Sequence, residues 1–130
     1  MAAWDDVVGY LRNNFRFAED TGELLKVFVN DRRGTARLMV VECGTPPSIP
    51  IQPWATISSP VGNVNYIDLQ SVLKRAGERY VVGGLVRVGD LLMFRHSLPL
   101  SGMSVHQFAL PFNLVMNTAA ELQDGFLPDL

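Results

Sequence analysis

The closing third of the chain constrains the fold more than any other part. After the hairpin-like stretch GGLVRVGDLLMFRHSLPL, the apolar residues Val105, Phe108, Phe112, Val115, Ala119, Leu122 and Phe126 recur at alternating steps of three and four. That spacing is one face of a helix, and a helix so apolar must be covered by a sheet or by a second copy of itself. Ser104 is a suitable N-cap for it. Pro111 falls inside the pattern, and the face stays in phase across it, which predicts one helix bent at Pro111 rather than two.

The opening segment places Trp4, Val7, Val8, Leu11 and Phe15 on one helical face, with Asp5 and Asp6 near the start, where the helix dipole favours acids. This predicts a helix from Ala3 to Phe17, closed before a turn at Asp20, Thr21 and Gly22. LLKVFVN and TARLMVVEC follow as two strands, with DRRG between them as a hairpin signal and Gly34 free to take a positive φ. Residues 44–53 hold four prolines and are read as an exposed loop. Trp54 to Ser59 reads as a third strand, ended by Pro60 and Gly62. A short helix is expected over Tyr66 to Ala76. Two further strands, Gly84 to Val88 and Leu91 to Ser97, are joined by a tight turn at Gly89 and Asp90. The expectation is a single domain over 1–130, of α+β class, with a five-stranded antiparallel sheet and the element order α-β-β-β-α-β-β-α.

With 130 residues and 48% hydrophobic content, the chain can bury a core without disulfides or metals. A net charge of −2 argues against a broad nucleic-acid footprint. One cysteine, Cys43, excludes an internal disulfide and a multi-cysteine metal site. Acids near the N-terminus do not suit a signal peptide, and no run of about 18 apolar residues predicts a membrane span. These features point to a cytoplasmic protein with no membrane partner and no cofactor.

Candidate chemistry is sparse. His96 and His106 are the only histidines. Ser97, Ser101 or Ser104 can be imagined as a nucleophile with His96 as base and Asp90 as orienter, but the G-x-S-x-G elbow is missing. The plainer reading is a strand end whose polar residues meet solvent, so no catalytic residue is assigned. A small hydrolase or ligand-binding enzyme using His96 stays as the minor alternative. The glycines at 83, 84 and 89 lead into strands rather than a helix, so they punctuate turns and do not form a phosphate loop.

What remains is apolar surface. Phe108, Phe112, Met116 and Phe126, with Leu110 and Leu114 on another side, make the terminal helix apolar over more than one narrow stripe. A sheet covers one stripe, and the rest is available to a partner unless other parts of the chain cover it. Trp54, Phe108, Leu110, Phe112, Leu114 and Met116 are therefore the candidate partner-binding or dimer surface.

The WDDVVGYLRNNF helix, the WATISSPVG strand and turn, GGLVRVGDLLMFRHSLPLSG, and the closing helix with AAEL at Ala119 to Leu122 together resemble the type III secretion chaperone-like superfamily. Within it they are similar to YbjN-type and actinobacterial peptide-binding chaperone-like proteins. The resemblance runs over nearly the whole chain. It implies the α-β-β-β-α-β-β-α fold, no enzymatic activity, frequent homodimers, and binding of a protein or peptide segment over the sheet and helices. The proline-rich 44–53 loop and Pro111 depart from the family pattern. The expected function is thus a non-enzymatic protein- or peptide-binding module. The alternative is a regulatory or structural homodimer without peptide capture.

Overall fold

The opening apolar stripe forms helix α1, Ala2–Asn14, and its last helical hydrogen bond runs from the Phe15 amide to the Leu11 carbonyl at 3.1 Å. The computed structural model describes residues 2–48, 52–78 and 83–124. The helix stops three residues before the expected end at Phe17, because the chain turns out to form an additional strand, β1, Arg16–Asp20. Strands β2, Leu24–Asn30, and β3, Ala36–Gly44, form the DRRG hairpin, and β4 spans Trp54–Asn63. Helix α2, Leu69–Glu78, precedes the hairpin of β5, Gly84–Val88, and β6, Leu91–Pro99. Helix α3, Val105–Asp124, runs unbroken through Pro111. Phe126 and residues 49–51 of the proline-rich loop lie outside the described residues.

The expected five-stranded sheet is corrected to six strands, in spatial order β1-β2-β3-β4-β6-β5, all neighbours antiparallel. The chain order becomes α-β-β-β-β-α-β-β-α. RFAED has only one strongly apolar residue, and Phe15 extends the helical stripe, so local pattern favoured the helix. Pairing decides otherwise: Arg16 lies opposite Phe28 and Phe17 opposite Val27, and the Arg16 guanidinium stacks 4.8 Å from the Phe28 ring centroid. The Trp4 indole donates to the Gly22 carbonyl at 2.8 Å, and Arg12 pairs with Asp20 at 2.9 Å, fixing the β1–β2 turn against α1.

Strand β4 also runs past its predicted end. Its ladder with β3 stops at Ser58, where Val40 is the partner, and the Ser59 hydroxyl then donates to the Leu38 carbonyl at 3.1 Å. Pro60 therefore lacks an N–H where no ladder bond to β3 is required. The extra residue between Pro60 and Gly62 forms a bulge against β6.

Caps fix the helix starts. Ser104 accepts from the Gln107 amide at 3.2 Å, and the Gln107 side chain accepts from the Ser104 amide at 2.9 Å, a reciprocal capping box. Asp68 caps α2 through the amide and hydroxyl of Ser71. Gly83 enters β5 with φ of 120°, and a Cβ there would lie 2.5 Å from the Arg95 carbonyl oxygen, so only glycine lets β5 approach β6 so closely.

One face of the sheet holds the core. Leu25, Val27, Val29, Met39, Val41, Ala55, Ile57, Leu92 and Phe94 meet Trp4, Val7, Val8 and Leu11 of α1, Val72 of α2, and Phe108, Phe112, Val115, Met116, Ala119 and Leu122 of α3. Phe15, Phe108 and Phe112 pack ring against ring at 5.5 Å, and Tyr10 meets Phe15 and Phe108 edge-on. These aromatic contacts join α1 to α3.

Candidate binding surface

The terminal helix does not present its main stripe to a partner. Phe108 and Phe112 are fully buried and Met116 is 5% exposed, all within the monomer core. The correction follows from width: the sheet covers one side of the stripe, and Tyr10 and Phe15 at the end of α1 cover the flank left over. Leu114 is half-buried, and Leu110, at 72% exposure, is the one large apolar residue of α3 standing in solvent. Trp54 is half-buried at the start of β4, on the opposite side of the sheet from α3.

That opposite side is the surface that periodicity alone did not reveal. Residues paired across the ladder share a face. Phe28 pairs with Leu38, Lys26 with Val40, Val40 with Ser58, Ser58 with Arg95, Pro60 with Met93, and Met93 with Val86. Val40 and Met93 are the two buried apolar residues that do not belong to the core cluster, which marks them as lying on this second face. Every buried helical residue among those described belongs to the core side instead. The face thus carries Phe28, Leu38, Val40, Trp54, Met93 and Val86 with no helix upon it among the described residues. Farther along, it becomes polar: Leu24 pairs with Glu42, Glu42 with Thr56, and Thr56 with Ser97, whose hydroxyls lie 3.2 Å apart.

Where this polar end meets the proline-rich loop there is an open cleft of about 400 Å³, lined by Glu42, Thr45, Pro46, Trp54, Thr56, Arg95 and Ser97 among others. Arg95 donates through Nε to the buried Ser58 hydroxyl at 3.0 Å. The Trp54 indole nitrogen is buried and has no acceptor. Cys43 also borders the cleft, but its side chain packs against the core, and burial together with the nearby Glu23 charge pushes its thiol up, so it is protonated at neutral pH.

The residues imagined as a hydrolytic triad are not brought together. His96 pairs with Ile57 on the helix side of the sheet, whereas Ser97 points to the other side and holds Thr56. Ser104 is engaged in capping α3. Asp90 sits in the β5–β6 turn with Arg87 at 3.5 Å, six positions from His96 along β6 and so about 20 Å away in extended chain. Among the described residues no group of three or more His, Cys, Asp or Glu is placed to hold a metal ion.

Elsewhere, Asp31 shapes the β2–β3 turn. It accepts from the amides of Arg33 and Thr35 and from Arg37 Nε at 2.9 Å. Burial raises the Asp31 pKa, but the Arg37 hydrogen bond and the two amides outweigh it and leave the carboxyl below its ordinary value. This is a structural device that closes the hairpin.

No helix among the described residues is long and apolar enough to cross a membrane. Comparison with family models, with curated proteins and with solved structures finds no match.

Proposed function

We propose that this protein is a non-enzymatic binding module that holds an extended segment of another polypeptide on the helix-free face of its sheet. The observation that carries the reading is the half-buried set Phe28, Leu38 and Val86, flanking the buried Val40 and Met93, on a sheet face over which no helix among the described residues packs. An extended segment matches such a face because its alternate side chains reach the apolar positions while its polar backbone stays at the surface. The resemblance to peptide-binding chaperone-like proteins points the same way, and a single free cysteine suits a reducing cytoplasm.

The test is panning of a random 12-residue phage-displayed peptide library against the purified protein. Enriched peptides are expected to bind the wild type, to lose binding to Leu38→Glu on the open sheet face, and to keep it with Leu110→Glu on the outer side of α3. No enrichment, or loss with Leu110→Glu instead, overturns the reading.

A separate observation favours self-association as a second reading. Tyr66, Leu69, Leu73, Val88 and Leu91 are exposed, and the Val64 amide ties the segment before α2 to the β5–β6 turn through the Asp90 carbonyl at 2.8 Å. Among the described residues strand β5 has no neighbour on its outer side, and an antiparallel edge can pair with its own copy about a twofold axis. A dimer of this kind should bury upward of about 1,000 Å². Sedimentation at micromolar concentration, with Leu73→Lys as the disrupting variant, decides it.

A further inference from the structure

The cleft at the polar end of the open face is lined by a tryptophan whose indole N–H lacks an acceptor and by an arginine that holds no carboxylate among the described residues. The Trp54 Nε1–H is buried without an acceptor, in contrast to Trp4, whose indole reaches the Gly22 carbonyl. A buried donor left unpaired is destabilising and is rare in folded proteins. Arg95 lines the same cleft and engages Ser58 through Nε, but among the described residues no carboxylate pairs with it. Arg12, Arg37 and Arg87 by comparison each hold an aspartate. The two hydroxyls nearest in the ladder, Thr56 and Ser97, engage one another. Glu42 is the one carboxylate on the wall, and it stands on β3, two strands from Arg95 and so about 10 Å away in backbone spacing.

Resting on the partner-binding reading above, we infer that this cleft selects an acidic residue in the bound polypeptide. The aspartate or glutamate carboxylate of the segment takes the outer edge of the Arg95 guanidinium, and a neighbouring backbone carbonyl accepts from Trp54 Nε1. The guanidinium fork matches two carboxylate oxygens, and a charge-assisted pair of this kind in a half-buried site is stronger than a neutral hydrogen bond. Glu42 favours a singly charged group over a doubly charged phosphate, because each added negative charge is repelled by the carboxylate on the same wall. Trp54 is half-buried and lines the cleft, with its Nε1 among the buried atoms there.

The experiment uses the intact chain and a synthetic 12-residue peptide taken from the panned library, one that contains a single acid, beside its glutamine counterpart. Affinities are measured by calorimetry for wild type, Arg95→Gln and Trp54→Phe, the latter keeping the ring and removing the donor. Replacing the peptide's acid by its amide should weaken binding to the wild type by at least about tenfold. The same replacement should have little effect on binding to Arg95→Gln, which shows that the two groups meet. Trp54→Phe should weaken binding about three- to tenfold. In nitrogen–proton correlation spectra the Trp54 indole resonance should move on binding while that of Trp4 stays in place. Unfolding curves of both variants provide the folding control. Peptides that bind without preference for an acid, or whose preference survives Arg95→Gln, overturn this inference and leave the partner-binding reading standing. A library that yields no binder overturns both.

Discussion

Replacing Phe112 by alanine tests where the terminal helix sends its apolar stripe. The ring is fully buried and stacks 5.5 Å from both Phe15 and Phe108, so truncation removes transfer energy, opens a cavity and deletes two aromatic contacts. Buried Phe→Ala changes cost about 3–5 kcal/mol, and the two ring pairs, at about 0.5–1.5 kcal/mol each, place this site in the upper half of that range. A domain of this size has a total stability of about 5–15 kcal/mol, so the variant should lose about a quarter of it or more. In urea the midpoint should fall by on the order of 2 M with an unchanged slope, taking a slope of about 2 kcal/mol/M. Leu110→Ala on the same helix, at 72% exposure, should stay within about 0.5 kcal/mol of wild type. A loss below about 1 kcal/mol for Phe112→Ala, or equal losses for both variants, would refute the orientation of α3 described above.

Gly83→Ala should destabilise by about 1–3 kcal/mol, since the new Cβ meets the Arg95 carbonyl and the residue is held at φ of 120°; an unfolding midpoint equal to wild type would contradict this. Ser104→Ala should cost about 1 kcal/mol through loss of the α3 cap, read by the same denaturation. Acid should destabilise the fold through Asp20, Asp31 and Asp68, all held below their ordinary values. For Asp20 the Arg12 contact is the main cause, for Asp31 burial is outweighed by Arg37 and two amides, and for Asp68 the Ser71 hydroxyl leads. Because folded values lie under unfolded ones, these carboxylates contribute stability above about pH 4 and lose it as pH falls through their folded values. Urea midpoints measured from pH 7 to pH 2 should therefore drop on the acid side, and Asp31→Asn should flatten that drop. Trp54→Phe should leave stability unchanged or raised, because it removes a buried donor that has no partner.

The features legible in the sequence were those with a local cause. Gly34 and Gly89 take the positive φ values of 81° and 60° that their turn motifs required, and both hairpins close where expected. Ser104 caps α3, and the three-and-four stripe through Phe108, Phe112 and Leu122 is the buried one. Features set by a distant partner were not legible. The RFAED strand has little β character of its own and exists because β2 offers it an edge. Strand β4 passes Pro60 because a side-chain bond from Ser59 replaces the missing ladder, which no rule about proline within a strand reveals. The candidate surface shifted for the same reason: Phe108, Phe112 and Met116 are consumed by α1 and the sheet, and of the expected residues only Trp54 and the flanking Leu110 and Leu114 keep exposed area.

The register explains why the open face escaped a reading by periodicity. LMVV in β3 is apolar at every position, so alternation does not distinguish its two sides; only pairing does, placing Met39 and Val41 under the helices and Leu38 and Val40 on the far side. Helix α3 can cover one side of the sheet, because its stripe is a single face, and α1 and α2 add their buried residues to that same side. The apolar residues of the far side are therefore a remainder outside the helix-covered core: Phe28, Leu38 and Val86 stay half-buried, while Val40 and Met93 are buried without belonging to the core cluster. The far side also differs from a second core, since its apolar residues give way within two ladder positions to Glu42, Thr56, Ser58, Arg95 and Ser97. An apolar patch running into a polar cleft fits the partner-binding surface proposed above, with area supplied at one end and direction at the other.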